Sequence, residues 1–486
     1  MNGDDRNSKK NLVKNILLFG ISSFGTKLIY FFLLPLYTSY LSTEDYGTVD
    51  LINTVLSLIL PVLTIGMIDS VLRYTIVQKE KKENVLDGAF LILFFDMLIL
   101  SIGCGVASHL DILKLDSVYY VFLVISFLLT SLYQILCNYY RGMDQVKDMM
   151  IAGIMNAAIT CLCNIVFLVY FRWGIAGYLA AILLGSLSAD LFLITQMFRN
   201  KFYFVKRRRI DKLLFKQMIT YGIPLILNGI SWWINNSLDR IIIVGVLGTA
   251  ANGIYAVSYK IPSILSVFQT IFNQAWTVSA IQDVDNSDKD SFYSDMYKVY
   301  EAGMFLICSL LILFNMFFAN ILYGKEFFTA WHYTLPLIIA ALAGAMSIFL
   351  SSIFCAVGES KIVGITTFTG AAVNLILNVV FIPWIGLLGA AVATAISNVI
   401  IWITRMWKSR RYVKMKSRPY REILCFFLIC VQGVLAFQEL HFYFQQVLIF
   451  IILIFLFRGE MSLYLKIIMK ALRGMIRKLR KKRFTG

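Results

Sequence analysis

Charged residues are scarce in this sequence. Asp, Glu, Lys and Arg make up only 15% of the 486 residues, whereas soluble domains carry about 25%. Hydrophobic residues make up 59%, and the mean hydropathy is +0.74. A chain with so little charge cannot cover a soluble globule with a polar surface. The composition therefore predicts a polytopic membrane protein.

Residues that would form a catalytic or metal site are also few. The only histidines, His109, His332 and His441, are too scattered for a metal site. The eight cysteines lie in apolar segments and show neither a disulfide framework nor zinc-ligand spacing. No phosphate-binding loop, nucleophile elbow or paired-carboxylate motif stands out, and the predicted outer loops are too short for a catalytic domain. The sequence therefore predicts no enzyme activity, no metal and no cofactor, and it leaves coupling to a proton or sodium gradient open.

Long apolar runs are abundant. A run of about 20 apolar residues has the length of a membrane-spanning helix. Such runs occupy residues 15–40, 47–74, 88–108, 118–138, 150–170, 175–197, 217–246, 251–281, 299–322, 332–356, 362–382, 387–405, 422–438 and 443–457. They predict an all-α membrane protein with about 14 transmembrane helices.

The distribution of Lys and Arg predicts the orientation of these spans. With the N-terminus inside, most of the 45 Lys and Arg residues fall in cytoplasmic segments, and only Lys114, Arg172 and Lys325 fall in outer loops. This bias follows the positive-inside rule and predicts that both termini are cytoplasmic. The basic runs at 206–209 and 410–411 are then topology determinants beside anionic lipid, and no nucleic-acid partner is predicted.

The chain also contains an internal repeat. Leu41-Ser42-Thr43 aligns with Leu247-Gly248-Thr249, and Gly47 aligns with Gly253. The repeat unit is six spans, and because six is even the two copies share one orientation. The predicted segments are an N-lobe at 1–200, a basic cytoplasmic linker at 201–216, a C-lobe at 217–408, two extra spans at 421–458 and a basic amphipathic tail on the membrane surface at 459–486.

The stretch Gln217–Ile281 carries more polar residues than a lipid-facing hairpin tolerates. It predicts two long helices joined by a turn near residues 247–250. Polar residues of the second helix recur every three or four positions and so share one face: Asn252, Tyr255, Tyr259, Ser263, Ser266, Thr270, Asn273 and Thr277. A charge at bilayer depth costs about 2.5–3.5 kcal/mol, so such residues usually face a bundle interior or a wet cavity. The hairpin is therefore predicted to form one wall of a polar cavity.

Charged residues inside the predicted spans form the core of the candidate site. Asp239 and Lys260 stand level across the hairpin, which predicts either a structural ion pair or two residues of the cavity. Arg240 points about 100° away from Asp239 on the same helix and must find another partner. Lys27 belongs to the corresponding wall of the first half. Together these four residues carry a net positive charge, which would attract an anionic group such as a phosphate.

Neighbouring polar side chains complete this candidate site. Asn236 is a further polar residue of the first helix, and Tyr259 offers a flat face of the kind on which sugars stack, although aromatics at helical spacing are more often packing residues. The candidate substrate-binding residues are Lys27, Asn236, Asp239, Arg240, Tyr259 and Lys260. Asp96 and Asp190 are lone acids in spans 3 and 6, and they either relay a coupling proton or pair within the bundle.

Several motifs of the hairpin stand in a familiar arrangement. They are Tyr221-Gly222-Ile223-Pro224-Leu225, Trp232-Trp233, Asp239-Arg240, Gly253-Ile254-Tyr255 and Tyr259-Lys260-Ile261-Pro262. This arrangement resembles spans 7 and 8 of the Wzx-type polysaccharide flippases, a family of the superfamily that includes multidrug MATE transporters and lipid II flippases. Tyr46-Gly47 and the stretch from Gly66 to Tyr74 resemble the first two spans of that family.

The resemblance implies two parallel six-helix lobes in a V around a central cationic cavity, with transport by alternating access. The implied substrate is an oligosaccharide repeat unit on a polyprenyl pyrophosphate, moved from the inner to the outer leaflet of the bacterial cytoplasmic membrane. Implied partners are this lipid-linked substrate, membrane lipids, and a polysaccharide polymerase or other assembly proteins. Lipid II flippases carry an adjacent basic–acidic pair in span 1, whereas Leu28 follows Lys27 here, which disfavours lipid II as the substrate.

Two other functions remain as alternatives. A MATE-like cation-coupled exporter of small molecules would normally have twelve spans and an acidic cavity, so spans 13 and 14 and the basic cavity argue against it. A membrane polysaccharide polymerase would need large external loops, which this chain lacks.

Overall fold

The computed structural model describes most of the chain. The described residues are 29, 31–77, 82–110, 116–200, 211–282, 289–414, 419–438 and 442–460. Every regular element within these ranges is a helix, which confirms the all-helical fold. Lys27, the greater part of the predicted linker at 201–216 and the predicted tail beyond residue 460 lie outside the described residues.

Contacts divide the chain into two units. The first comprises Met1–Ala256 with Leu322–Phe327, and the second comprises Val257–Ile321 with Phe328–Gly486. The lobe boundaries inferred from the repeat stay a prediction.

Helices of the first unit follow one another through short connections. In chain order they are α1 (Leu34–Tyr40), α2 (Thr43–Leu63), α3 (Met67–Val77), α4 (Lys82–His109), α5 (Ser117–Gly142), α6 (Val146–Asn164, continued by the π-helical turn Ile165–Tyr170), α7 (Gly174–Arg199), α8 (Lys212–Leu247) and α9 (Thr249–Ser258, shared with the second unit). The apolar faces of α2 to α8 meet in one core, in which Leu86, Phe127, Leu136 and Leu193 are fully buried.

The second unit is built around one long apolar helix. Its helices are α10 (Pro262–Gln282), α11 (Lys289–Leu313), α12 (Asn315–Leu322), α13 (Ala330–Ala356), α14 (Ser360–Ile385), α15 (Leu387–Ser409), α16 (Pro419–Ala436) and α17 (Tyr443–Leu456), and a short 3-10 turn, Lys325–Thr329, precedes α13. Helix α13 is buried along most of its length and packs against α10, α11 and α15. A helix that is apolar on all sides is typical of such a central position.

By length and composition, ten helical segments of the described chain can cross a membrane, and the shorter apolar helix α17 is an eleventh candidate. The protein is therefore a multi-pass membrane protein, as the composition predicts. The count of fourteen stays a prediction, because most of the first predicted span lies outside the described residues and α8, α9 and α10 are not among the ten.

Several predicted spans are interrupted, which the apolar runs did not predict. Span 2 breaks between α2 and α3, where Ile65 and Gly66 have φ values of +49° and +63°. Span 8 breaks at residues 259–261, and Pro262, which lacks an amide hydrogen, begins α10. Span 9 breaks at Phe314, between α11 and α12. Hydropathy does not detect such breaks, because the residues that form them are themselves mostly apolar.

A buried arginine ties three helices of the second unit together. Arg405 on α15 is 4% exposed and uses all three guanidinium nitrogens as donors. Its acceptors are the hydroxyl and carbonyl oxygens of Ser347, the hydroxyls of Thr366 and Thr367, and the carbonyl oxygen of Val363, at 2.8–3.3 Å. All of these oxygens are neutral, so hydrogen bonds satisfy the charge. Arg405 thereby links α15 to α13 and α14.

A second arginine attaches the two C-terminal helices. Arg421 at the start of α16 contacts Glu301 on α11 at 2.9 Å and Glu460 beyond α17 at 2.6 Å. The three side chains are between 1% and 12% exposed. Because breaking a buried ion pair leaves an uncompensated charge, these contacts fix α16 and α17 on α11.

Candidate functional site

The predicted polar hairpin Gln217–Ile281 begins with the long helix α8. Asp211 caps its N-terminus and accepts hydrogen bonds from two backbone amides at 3.1 and 3.2 Å. Helix α8 ends at Leu247, and Gly248 follows with a φ of +89°, a conformation that favours glycine. Helix α9 begins at Thr249. The turn therefore lies where the sequence predicts it.

Two glycines let α2 and α9 approach until their backbones touch. A Cβ atom on Gly47 would overlap the carbonyl oxygen of Thr249, and one on Gly253 would overlap that of Thr43. Small residues at a crossing allow this kind of close packing in a membrane. The internal repeat aligns Gly47 with Gly253 in sequence, and the fold brings the same two residues into contact.

This close crossing places Asn252 against α2. Its Nδ2 donates to the carbonyl oxygen of Gly47 at 3.0 Å and to Oδ2 of Asp50 at 3.2 Å. Asn252 is completely buried, and a buried amide needs such partners. Asn252 therefore holds the Asp50 carboxylate at the start of α2.

Asp50 is the partner that the sequence left unidentified for Arg240. Nε of Arg240 lies 3.1 Å from Oδ2 of Asp50. The two side chains are 20% and 19% exposed, so the ion pair is largely, but not fully, removed from solvent. Removal of either partner would leave a partly buried charge without compensation.

Asp239 has a separate set of partners. It is 4% exposed, its Oδ2 accepts a hydrogen bond from the Tyr255 hydroxyl at 2.8 Å, and its Oδ1 accepts one from the backbone amide of Arg240 at 3.0 Å. Asp239 and Arg240 thus serve different partners, as their positions on the helix predict. We call these five residues, Asp50, Asp239, Arg240, Asn252 and Tyr255, the Arg240 cluster.

The structure unites only part of the predicted site. Asp239 and Arg240 are in the Arg240 cluster, and Asn236 lies exposed one turn before Arg240 on α8. Tyr259 and Lys260 lie in the break between α9 and α10 and belong to the second unit. Pairing of Asp239 with Lys260 therefore stays a prediction. So does the placement of Lys27, which lies outside the described residues.

Asp50 is the member of the ion pair that the sequence analysis did not predict. Its signal was available, because it is an acid within predicted span 2, four residues after Tyr46. Its contact with Arg240 joins residues far apart in the chain, which neither hydropathy nor periodicity reveals.

The guanidinium of the Arg240 cluster can bind either of two kinds of anion. A guanidinium binds carboxylate and phosphate oxygens with the same planar set of donors. Arg240 therefore can exchange the Asp50 carboxylate for a phosphate without a change in its own charge. Across the described ranges, no group of three or more His, Cys, Asp or Glu residues could hold a metal ion.

The sequence matches a family model described as "Polysaccharide biosynthesis protein" over residues 12–278, more than half of the chain. The chain belongs to this family. The match includes α8, α9 and every residue of the Arg240 cluster, and it confirms the resemblance to polysaccharide transporters.

Individual relatives are distant. A putative protein of the Lsg locus of Haemophilus influenzae is 23% identical over 275 residues, which cover 54% of this chain and 64% of the relative. An uncharacterized membrane protein of Methanocaldococcus jannaschii is 27% identical over 208 residues, which cover 40% of this chain and 39% of the relative. The chain thus spans less than two thirds of the length of both curated relatives.

Solved structures identify the fold. The lipid II flippase MurJ in an inward closed conformation has a TM-score of 0.69 at 15% identity, with 93% of this chain and all of that chain covered. An inward-facing multidrug resistance MATE transporter of the MOP superfamily has a TM-score of 0.65 at 15% identity, with 79% and 94% covered. The chain has the MATE/MurJ-like fold. Both of these solved structures are of transport proteins, and transport by this chain stays a prediction.

Proposed function

We propose that the protein is a Wzx-type flippase that moves polyprenyl-pyrophosphate-linked oligosaccharide repeat units from the inner to the outer leaflet of the bacterial cytoplasmic membrane. The observation that carries the proposal is the polysaccharide biosynthesis family match over residues 12–278. The likeness in fold to a lipid II flippase supports a lipid-linked substrate. In this proposal, transport proceeds by alternating access of two parallel lobes.

Arg240 is the residue proposed to bind the pyrophosphate. Arg240 forms an ion pair with Asp50 at 3.1 Å. The Asp50 carboxylate would therefore compete with the substrate for the guanidinium. The pyrophosphate carries two negative charges and the carboxylate one, so the pyrophosphate can displace the carboxylate from the guanidinium, and the carboxylate can take its place again when the substrate leaves. A transporter must release what it binds, and this competition keeps its affinity for the substrate moderate. Lys27 and Lys260 are proposed to share the charge of the head group, and Asn236 and Tyr259 to contact the sugar.

The proposed orientation has both termini in the cytoplasm. It follows from the Lys and Arg distribution, and it puts the α8–α9 turn outside and the α15–α16 connection inside. Single cysteines at the exposed positions Ala250 and Arg411, in a cysteine-free background, test it in intact cells. An impermeant thiol reagent should label Ala250→Cys and label Arg411→Cys only after lysis. The reverse pattern would contradict the orientation.

Loss of the gene tests the function in the cell. A deletion strain should lose surface polysaccharide, and the wild-type protein should restore it. The lipid-linked repeat unit should accumulate in the deletion strain, because synthesis continues without transport. Normal surface polysaccharide in the deletion strain, with no other transporter of this family present, would argue against the proposal. It would leave a MATE-like small-molecule exporter, which the shared fold favours as the second candidate.

A further inference from the structure

A cavity lies wholly within the second unit, where the ends of α11 and α16 meet α12 and the starts of α13 and α17. Its volume is about 370 Å³, which is at the lower end of the roughly 300–1,000 Å³ of small-molecule sites. It is separate from the Arg240 cluster, which belongs to the first unit. A cavity of this size accepts a small ligand rather than a whole lipid-linked oligosaccharide.

Aromatic rings form the walls of this cavity. Trp331 is 3% exposed and lies deep, whereas Phe317 and Tyr443 are 57% and 41% exposed and lie at the entrance. Aromatic rings present large, flat, rigid apolar faces. Such faces pack well against the C–H faces of a ring-shaped ligand.

Two buried amides supply polar groups to the same cavity. Asn315 and Gln446 line it and are 2% and 4% exposed. Nδ2 of Asn315 donates to the carbonyl oxygen of Trp331 at 3.1 Å, but its Oδ1 is buried and has no hydrogen-bond partner among the described residues. A buried acceptor without a partner is costly. Oδ1 of Asn315 can therefore accept a hydrogen bond from a molecule bound in the cavity, either a water or a ligand.

The charge of the lining excludes several ligand classes. None of the described residues that line the cavity is charged, so among them a phosphate or a cation would lose its hydration without compensation. A hydrocarbon chain would suit the aromatic walls but would leave Oδ1 of Asn315 without a hydrogen-bond donor. A neutral ring with hydroxyl groups satisfies both features.

From these observations we propose that the cavity is a binding site for a neutral sugar residue. The hydroxyl groups donate to Oδ1 of Asn315 and exchange hydrogen bonds with the amide of Gln446, while the apolar faces of the ring pack on Trp331 and Tyr443. In the proposed orientation the α11–α12 connection faces outside, so the site meets sugars on the outer side of the membrane. The inference depends on the proposed function only for the source of the sugar, which is the exported repeat unit.

Direct binding to simple sugars tests the inference. The probes are the methyl glycosides of glucose, galactose, N-acetylglucosamine and rhamnose, with the full-length protein in lipid nanodiscs that contain no glycolipid. Saturation-transfer difference NMR should detect binding of at least one of them. Ala436 lines the cavity, and Ala436→Leu should abolish the signal by filling it. Gln446→Leu should weaken binding about tenfold, the effect of losing one good hydrogen bond.

Val434→Leu is the matched control, because Val434 lies on the same helix as Ala436 but is 64% exposed. It should bind as the wild type does. The thermal unfolding midpoint of each variant should stay close to that of the wild type, which separates loss of the site from loss of folding. Absence of a signal for every methyl glycoside overturns the inference, as does a signal that Ala436→Leu leaves unchanged. Binding of 1-hexanol without binding of sugars also overturns it and identifies a hydrocarbon pocket. None of these outcomes bears on lipid flipping, which is measured separately.

Discussion

Gly47→Ala is expected to prevent accumulation of the folded protein. The added methyl group would overlap the carbonyl oxygen of Thr249 and come within 2.8 Å of the amide nitrogen of Gly253. Ordinary overpacking costs about 1–3 kcal/mol because side chains can move aside. The atoms here belong to the backbone of α9, so the cost should exceed that range. The measurement is the amount of monodisperse protein in detergent, by fluorescence-detected size exclusion.

Gly245→Ala is the matched control for this prediction. Gly245 lies on α8, two residues before the helix ends, and a Cβ atom there would meet nothing within 4 Å. Alanine is about 1 kcal/mol more favourable than glycine within a helix, so this variant should be as stable as the wild type or more stable. Both substitutions replace glycine with alanine. Gly47→Ala is expected to lower the stability of the protein, and Gly245→Ala is expected to preserve or raise it. If Gly47→Ala accumulates like Gly245→Ala, α2 and α9 do not cross as described.

The second large effect concerns the ion pair of Asp50 with Arg240. Arg240→Met alone leaves the Asp50 carboxylate with Asn252 as its remaining described partner, and Asp50→Asn alone removes the anion that Arg240 contacts. Breaking a fully buried pair costs about 3–5 kcal/mol. The side chains here are 20% and 19% exposed, so about 1–3 kcal/mol is expected. Each single variant should therefore be less abundant in the membrane.

The double variant Asp50→Asn/Arg240→Met separates structure from transport. It removes both charges, so the protein level should recover. If Arg240 binds the pyrophosphate, surface polysaccharide in a complemented deletion strain should stay low despite normal protein. Arg240→Lys should retain part of the export, because an ammonium supplies charge without the planar set of donors. Recovery of polysaccharide together with protein in the double variant would assign Arg240 a structural role only. Arg199→Met, at an exposed position on α7, is the control for loss of a positive charge.

The sequence predicts the hairpin well because its signals are local. The apolar runs of α8 and the region after it are long, and Gly248 marks the turn with a conformation that glycine tolerates. The divergence of Asp239 and Arg240 follows from the helical rotation of about 100° per residue.

What the sequence does not predict depends on tertiary contacts. Asp50 lies 190 positions before Arg240, and the packing of α2 against α8 places the two side chains together. The break at residues 259–261 moves Tyr259 and Lys260 out of the continuous stripe that the spacing predicts. Pro262 was its local signal, but proline in a membrane helix is often tolerated. The cavity is lined by Asn315, which precedes α13 in the chain, and by Gln446, which follows it. No sequence motif indicates that these two residues meet.

Transport by the purified protein tests the central claim most directly. The protein is reconstituted into liposomes that carry a polyprenyl-pyrophosphate-linked oligosaccharide extracted from the deletion strain, and an impermeant enzyme that modifies the sugar is added outside. With the wild-type protein, the whole lipid-linked pool should become accessible to the enzyme. In protein-free liposomes, and with the double variant Asp50→Asn/Arg240→Met, only the outer half should be modified. Modification limited to the outer half with folded, reconstituted wild-type protein, with and without an imposed proton or sodium gradient, would contradict the assignment as a flippase.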